Sequence, residues 1–208
     1  VMSDSSVTSV TVNISNSINN GKITGSGTLG GLVAAFALRQ PMTVTITNCT
    51  NNGIVTGKND TVGGLVGSCL LVEDSINELT MTISNCINNG IITAQNHAAG
   101  LVGNVDHPAF STLIINGVNK GTISAKNDIA CGLLCTESTN NQNANITILN
   151  SVNKGSVRAE EDAHGIANIV TKASNIVSMG DVTSPSYPFT FWKNSKEASL
   201  YYGLYGKC

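Results

Sequence analysis

One pattern in this 208-residue chain constrains its fold more than any other: an Asn followed five residues later by a Gly, repeated six times. The pairs are Asn16/Gly21, Asn48/Gly53, Asn85/Gly90, Asn116/Gly121, Asn150/Gly155 and Asn175/Gly180. Seven residues after each Asn stands a β-branched aliphatic (Ile23, Val55, Ile92, Ile123, Val157, Val182). Two residues before it stand Ile14, Ile46, Ile83, Ile114 and Ile148, with Ala173 in the sixth copy. Five copies then carry Gly and an aliphatic pair: Gly31-Leu32-Val33, Gly64-Leu65-Val66, Gly100-Leu101-Val102, Gly132-Leu133-Leu134 and Gly165-Ile166-Ala167. A fixed period of this length is the signature of a repeat architecture.

Within a unit the apolar spacing is two, as in Thr43-Val44-Thr45-Ile46-Thr47 and Thr80-Met81-Thr82-Ile83-Ser84. That alternation specifies half-buried strands and excludes a helical repeat. Gly and Asn punctuate the strands and tolerate the left-handed backbone that corners require. Each unit reads as three short strands: one ending at the Asn, one around Asn+7, and one at Gly-Leu-Val. No unit can bury its aliphatics alone, but units stacked ~4.8 Å apart make a continuous dry core. The expected fold is all-β, a right-handed parallel β-helix or β-solenoid of about six coils, one per 25–37-residue repeat. Asn16, Asn48, Asn85, Asn116, Asn150 and Asn175 are expected to form an amide ladder at one corner. The solenoid domain spans 1–183. An aromatic-rich segment, 184–208, follows as a cap or a junction with a partner, because seven of the nine aromatics lie in the last 22 residues. The chain opens on Val1 and reads as a processed product or a fragment of a longer protein.

The strings Ser84-Asn-Cys-Ile-Asn-Asn-Gly-Ile-Ile-Thr-Ala with Ala99-Gly-Leu-Val-Gly103, and Thr47-Asn-Cys-Thr-Asn-Asn-Gly-Ile-Val-Thr-Gly with Gly63-Gly-Leu-Val-Gly67, resemble the GLUG-type repeat. The resemblance covers roughly residues 10–183 and fades in copies five and six, where Asn168 replaces the last Gly. It implies a secreted or cell-surface solenoid of the kind found in large adhesin-like bacterial and protist proteins. Its motif residues are scaffold, so it implies no catalytic residue.

Composition narrows the function further. A net charge of −2 offers no basic stripe for nucleic acid, and no apolar run approaches a membrane span. Three His residues, His97, His107 and His164, meet no activated nucleophile, and Walker, Gly-x-Ser-x-Gly and His-Glu-x-x-His motifs are absent. Cys131-x-x-x-Cys135 lacks the second pair that zinc spacing needs. Asp60 and Asp128 share a register before the Gly, but His97 falls between them, so no ion is expected. The reading is therefore non-enzymatic, with no cofactor and no metal.

Variable segments after Gly-Leu-Val (34–42, 67–79, 103–111, 135–144 and 168–171) are expected to emerge along one edge, where a rigid scaffold displays binding loops. Candidate ligand- or partner-binding residues there are Glu73, Asp74 and Glu78, then Asp106 and His107, with Glu137 in a third loop. Trp192, Tyr201 and Tyr202 of the tail join them, since Tyr and Trp favour interfaces. Cys49 and Cys86 hold one repeat position in adjacent coils, within disulfide range or stacked as free thiols. Asn13, Asn59 and Asn145 head sequons that point outward and would take N-glycans on a eukaryotic secretory route. The expected role is adhesion or ligand binding in the extracellular space or on a cell surface, the partner being a protein or glycan. The alternative is a structural block of a surface filament or coat, its partner a copy of itself. Thr45, Thr82 and Thr147 face outward in one column, but Asn13, Leu113 and Lys172 interrupt it, and matching an ice or crystal lattice needs an unbroken array.

Overall fold

The structure, a computed structural model, describes residues 9–71, 78–105, 107, 109–136, 145–185, 187–190 and 197–203, the last two stretches as backbone. It is a parallel β-solenoid. Every strand pair is parallel and no helix occurs among the described residues. The Ile column lies in register through six levels: Ile14 on Ile46, Ile83, Ile114, Ile148 and Ala173. The second column, Ile23, Val55, Ile92, Ile123, Val157 and Val182, is equally continuous. Ile46, Ile83, Ile114, Val55, Ile92 and Ile123 are wholly buried. Stacking therefore does what alternation within one unit cannot: each level completes its neighbour's interior.

A level contains five short strands where the sequence reading expected three. In the second level they are Met42–Thr47, Thr50–Asn51, Val55–Gly57, Val62–Gly63 and Val66–Leu71. The Gly64-Leu65 pair forms a corner, and the last strand begins at Val66. The variable segments therefore start later than expected. Residues 33–38, 66–71 and 102–105 are strands whose Phe36, Leu38, Cys69 and Val105 enter the core. In the fifth level Asn168, standing where the second and third levels have Gly67 and Gly103, bonds both ways to the backbone of Thr136. It accepts from the N–H at 2.9 Å and donates to the carbonyl at 2.7 Å, in place of a strand pairing.

The corner after the first strand divides labour between Asn and Gly in a way the sequence did not disclose. Asn16, Asn48, Asn85, Asn116, Asn150 and Asn175 all have φ between 48° and 55°. Among the described residues no Gly has a positive φ. Asn alone takes the left-handed turn, which its short polar side chain tolerates. The Gly five residues on is required by crowding: a Cβ on Gly90 would collide with Gly53 O and reach 2.7 Å from Asn51 Nδ2.

The described part of the tail continues the stack. Tyr187–Thr190 pairs with Asp162–His164, and Glu197–Gly203 pairs with Lys172–Ser178, both parallel.

Candidate functional site

Two polar systems are built from the strand register, one inside the corner and one on the outer face. Three residues beyond the left-handed Asn lies a buried amide ladder. Asn19 Nδ2 donates to Asn51 Oδ1 at 2.7 Å, Asn51 to Asn88 at 2.8 Å, Asn88 to Asn119 at 2.8 Å and Asn119 to Asn153 at 2.7 Å. The run ends on Ser178 Oγ, 3.2 Å from Asn153 Nδ2. Each amide also clamps its own turn. Asn88 Oδ1 accepts from Gly90 N–H at 3.3 Å, and its Nδ2 donates to Gly90 O at 3.0 Å. Because the Gly N–H is only a donor, it fixes which end of the amide is oxygen. Asn51, Asn88, Asn119 and Asn153 are wholly buried, so these bonds form without water competing.

The ladder expected on the first Asn column thus runs unbroken three residues later. On that first column the side chains are exposed, and inter-level bonds join Asn85 to Asn116 at 2.8 Å and Asn150 to Asn175 at 3.0 Å. An outer ladder links Asn20, Asn52 and Asn89, each bond 2.8 Å.

Cys49 and Cys86 are free, stacked thiols, so the disulfide alternative is set aside. Each occupies the position where other levels have Ser17 or Ser151, and does a serine's work. Ser17 Oγ donates to Ser15 O at 3.0 Å and Ser151 Oγ to Leu149 O at 2.7 Å. In the same way Cys49 Sγ donates to Thr47 O at 3.3 Å and Cys86 Sγ to Ser84 O at 3.2 Å. In-register stacking also holds the two Cβ atoms about one level apart, ~4.8 Å, beyond the ~3.8 Å of a relaxed bridge. Burial pushes the Cys86 thiol up to about 11 and the Cys69 thiol up to about 12. Both folded values lie above the unfolded one, so their stabilising effect is complete below pH 9 and lost as pH rises through the folded values. The denaturation midpoint should accordingly hold steady from pH 7 to 8.5 and fall by pH 10.5. Burial raises the Cys135 thiol as well, so a Cys69→Ala/Cys86→Ser/Cys135→Ala triple variant should lose most of that slope, and an unchanged slope would refute the assignment.

Four of the expected binding residues, Glu78, His107, Tyr201 and Tyr202, fall within the described stretches. Glu73, Asp74, Asp106, Glu137 and Trp192 lie outside the described residues. Glu78 is exposed, and its carbonyl accepts from Met42 N–H at 2.8 Å. His107 is a turn residue: its Nδ1 accepts from Ala109 N–H at 3.1 Å, and its ring packs 5.3 Å from Phe110. With Nδ1 spent on its own turn, it is better explained as a brace for the Phe110–Ile115 strand than as a ligand group. Tyr201 and Tyr202 lie on the last strand, opposite Ile176 and Val177.

Asp60 and His97 take part in a corner relay. Thr28 Oγ1 donates to Asp60 Oδ2 at 3.2 Å, and Thr61 Oγ1 to Asp60 Oδ1 at 3.4 Å. Thr61 Oγ1 lies 3.5 Å from His97 Nδ1, and His97 Nε2 is 3.0 Å from Asp128 Oδ2 but off the hydrogen-bond line.

The outer face of the first-strand sheet is the candidate site. Its outward residues form three columns. One is Thr11, Thr43, Thr80, Ser111 and Asn145; the next is Asn13, Thr45, Thr82, Leu113, Thr147 and Lys172; the third is Ser15, Thr47, Ser84, Ile115, Leu149 and Ser174. Lys172 is their only charge. Thr24, Thr56, Thr93 and Ser124 line the face of the third strand in the same manner. Such a surface offers hydroxyl and amide groups in register, with Leu113, Ile115 and Leu149 as apolar members among them. Sequence reading named only the middle column, although the repeat register of the Ile column fixes the two beside it as well.

Fold and face together define a β-solenoid with a polar, nearly uncharged display surface. No protein-family model, curated protein or solved structure matches the chain.

Proposed function

We propose that this chain is a non-enzymatic β-solenoid module of the extracellular space or a cell surface, working in adhesion or ligand binding through its hydroxyl-lined sheet face. The carrying observation is the three in-register outward columns, mostly hydroxyl and amide side chains with three aliphatic members (Leu113, Ile115, Leu149) and a single charge, Lys172. A rigid array of that kind suits a neutral, hydroxyl-rich partner such as a glycan, because every hydroxyl both donates and accepts and no ion must be desolvated. The resemblance to GLUG-type surface repeats supports the same setting. Asn13, Asn59 and Asn145 are exposed; a glycan on Asn13 or Asn145 would stand on the binding face itself, so Asn59 is the acceptor compatible with this reading. The second reading, a block of a surface filament, is favoured by the same in-register columns, a flat face on which copies can meet side by side.

Glycan arrays and cell-binding assays on the isolated chain, with light scattering for self-association, separate the two. The module reading expects binding by a monomer that Thr45→Asp/Thr82→Asp weakens at least about tenfold, since each desolvated charge opposes a neutral partner. A Thr56→Asp variant on the other face should bind normally. Absence of any glycan or cell binding, or binding indifferent to the Thr45 and Thr82 charges, would overturn it.

A further inference from the structure

The N-terminal level is composed like an interior level but stands at an end. Val10–Ser15, Ile18–Asn19, Ile23–Gly25, Leu29–Gly30 and Val33–Leu38 are each the terminal strand of their sheet. Val12, Ile14, Ile23, Leu29 and Val33 are half-buried, whereas their partners Val44, Ile46, Val55, Val62 and Val66 are fully buried. Aliphatics at an exposed edge say that something covers them, and the amide ladder says what.

Inside the stack every ladder oxygen accepts two bonds. Asn51 Oδ1, for example, takes Gly53 N–H at 3.2 Å and Asn19 Nδ2 at 2.7 Å. Asn19 Oδ1 takes only Gly21 N–H, at 3.0 Å. Its second acceptor site faces the edge. The outer ladder ends with the opposite polarity: Asn52 Nδ2 donates to Asn20 Oδ1, leaving Asn20 Nδ2 to donate outward. We infer that the N-terminal level is a docking edge for another solenoid coil of the same repeat type, one carrying Asn-Asn-x-free spacing to Gly as Asn88-Asn89-Gly90 does.

Its first Asn would donate to Asn19 Oδ1 and its second would accept from Asn20 Nδ2. Residues 1–8 contain no Asn, so they hold no pair of adjacent amides to continue both ladders. Nor does the far end of a second copy. Ser178 holds the ladder position in the sixth level and Gly203 is paired to it, so among the described residues no amide stands at the ladder position of that end. The inference is independent of what the hydroxyl face binds.

The test inserts a copy of residues 79–109 between Ser9 and Val10, which sets duplicates of Asn88 and Asn89 over Asn19 and Asn20. One more level should raise the melting temperature by about 5 °C or more, because solenoid stability accumulates through neighbour interfaces. Hydrogen exchange of the edge amides in residues 10–38 should slow at least about tenfold. Replacing the inserted copy of Asn88 by Leu should remove most of the gain. Gly21→Ala should do the same in the extended protein while leaving the original chain unaffected, because a Cβ there meets only Asn19 Oδ1, at 3.6 Å, until a level is added. An insert without added protection, or one whose gain survives both substitutions, would overturn the docking edge. End-to-end growth of the unmodified chain on sedimentation would overturn the exclusion of a second copy.

Discussion

Asn88→Leu should cost about 3–5 kcal/mol, measured by denaturant unfolding, although it replaces one buried side chain by another of similar size. The Asn88 amide answers four groups: Gly90 N–H and Asn51 Nδ2 at its oxygen, Gly90 O and Asn119 Oδ1 at its nitrogen. Leucine answers none of them, and Asn88 is wholly buried, so water cannot step in. Each orphaned group carries a desolvation cost of roughly 1–3 kcal/mol, partly relieved by local opening. Since levels touch only their neighbours, the damage should concentrate between the second and fourth levels and broaden the transition. Asn88→Asp separates hydrogen bonding from packing. It keeps the oxygen but turns a lone pair toward Gly90 O and Asn119 Oδ1. Its folded pKa is raised, so stability should recover as the pH falls below that value and the carboxyl regains a donor. The matching Asn19→Leu change at the half-exposed end should cost less than about 1.5 kcal/mol. Equal losses at Asn19 and Asn88 would show that the ladder contributes nothing.

Gly90→Ala should be about as damaging, and Gly21→Ala close to neutral, although both residues hold the same place in the repeat. A methyl on Gly90 meets Gly53 O and Gly53 C of the level before, the latter at 2.9 Å, together with Asn51 Nδ2. All three belong to the clamped corner, so relief requires separating two levels, at an expected cost of about 3 kcal/mol or more. Gly21 has no level before it in this structure, and alanine there should change stability by no more than about 0.5 kcal/mol. Thermal melts of the two variants decide the matter. Equal effects would mean that glycine serves the turn's own conformation and not the approach of neighbouring coils.

Much of the solenoid was legible because its core obeys local rules repeated six times. Alternation in Thr43–Thr47 places Val44 and Ile46 inside whatever strand they join, and recurrence of Ile46 as Ile83 and Ile114 places those side chains over one another. The left-handed Asn was readable too, since few other residues accept that backbone. The cysteines were not. Cys49 in a sequence suggests a bridge, and only the aligned Ser17 and Ser151, each donating to the carbonyl two residues back, show that a thiol stands in for a hydroxyl. Of the candidate face, the sequence reading named one column out of three.

What the sequence determined by itself was the strand period, the level-by-level register of Ile and Val, and the scarcity of charge on the outward positions. All of these depend on a residue's own chemistry and its near neighbours. Tertiary structure alone decided that the second Asn of each repeat, not the first, carries the buried ladder. It also decided that Gly90 is glycine because of Gly53, 37 residues away in the chain, and that the first level ends on an unanswered acceptor. These three turn on the distance between coils, a few ångströms set by parallel pairing, and no local pattern in the chain encodes which atoms that distance brings together.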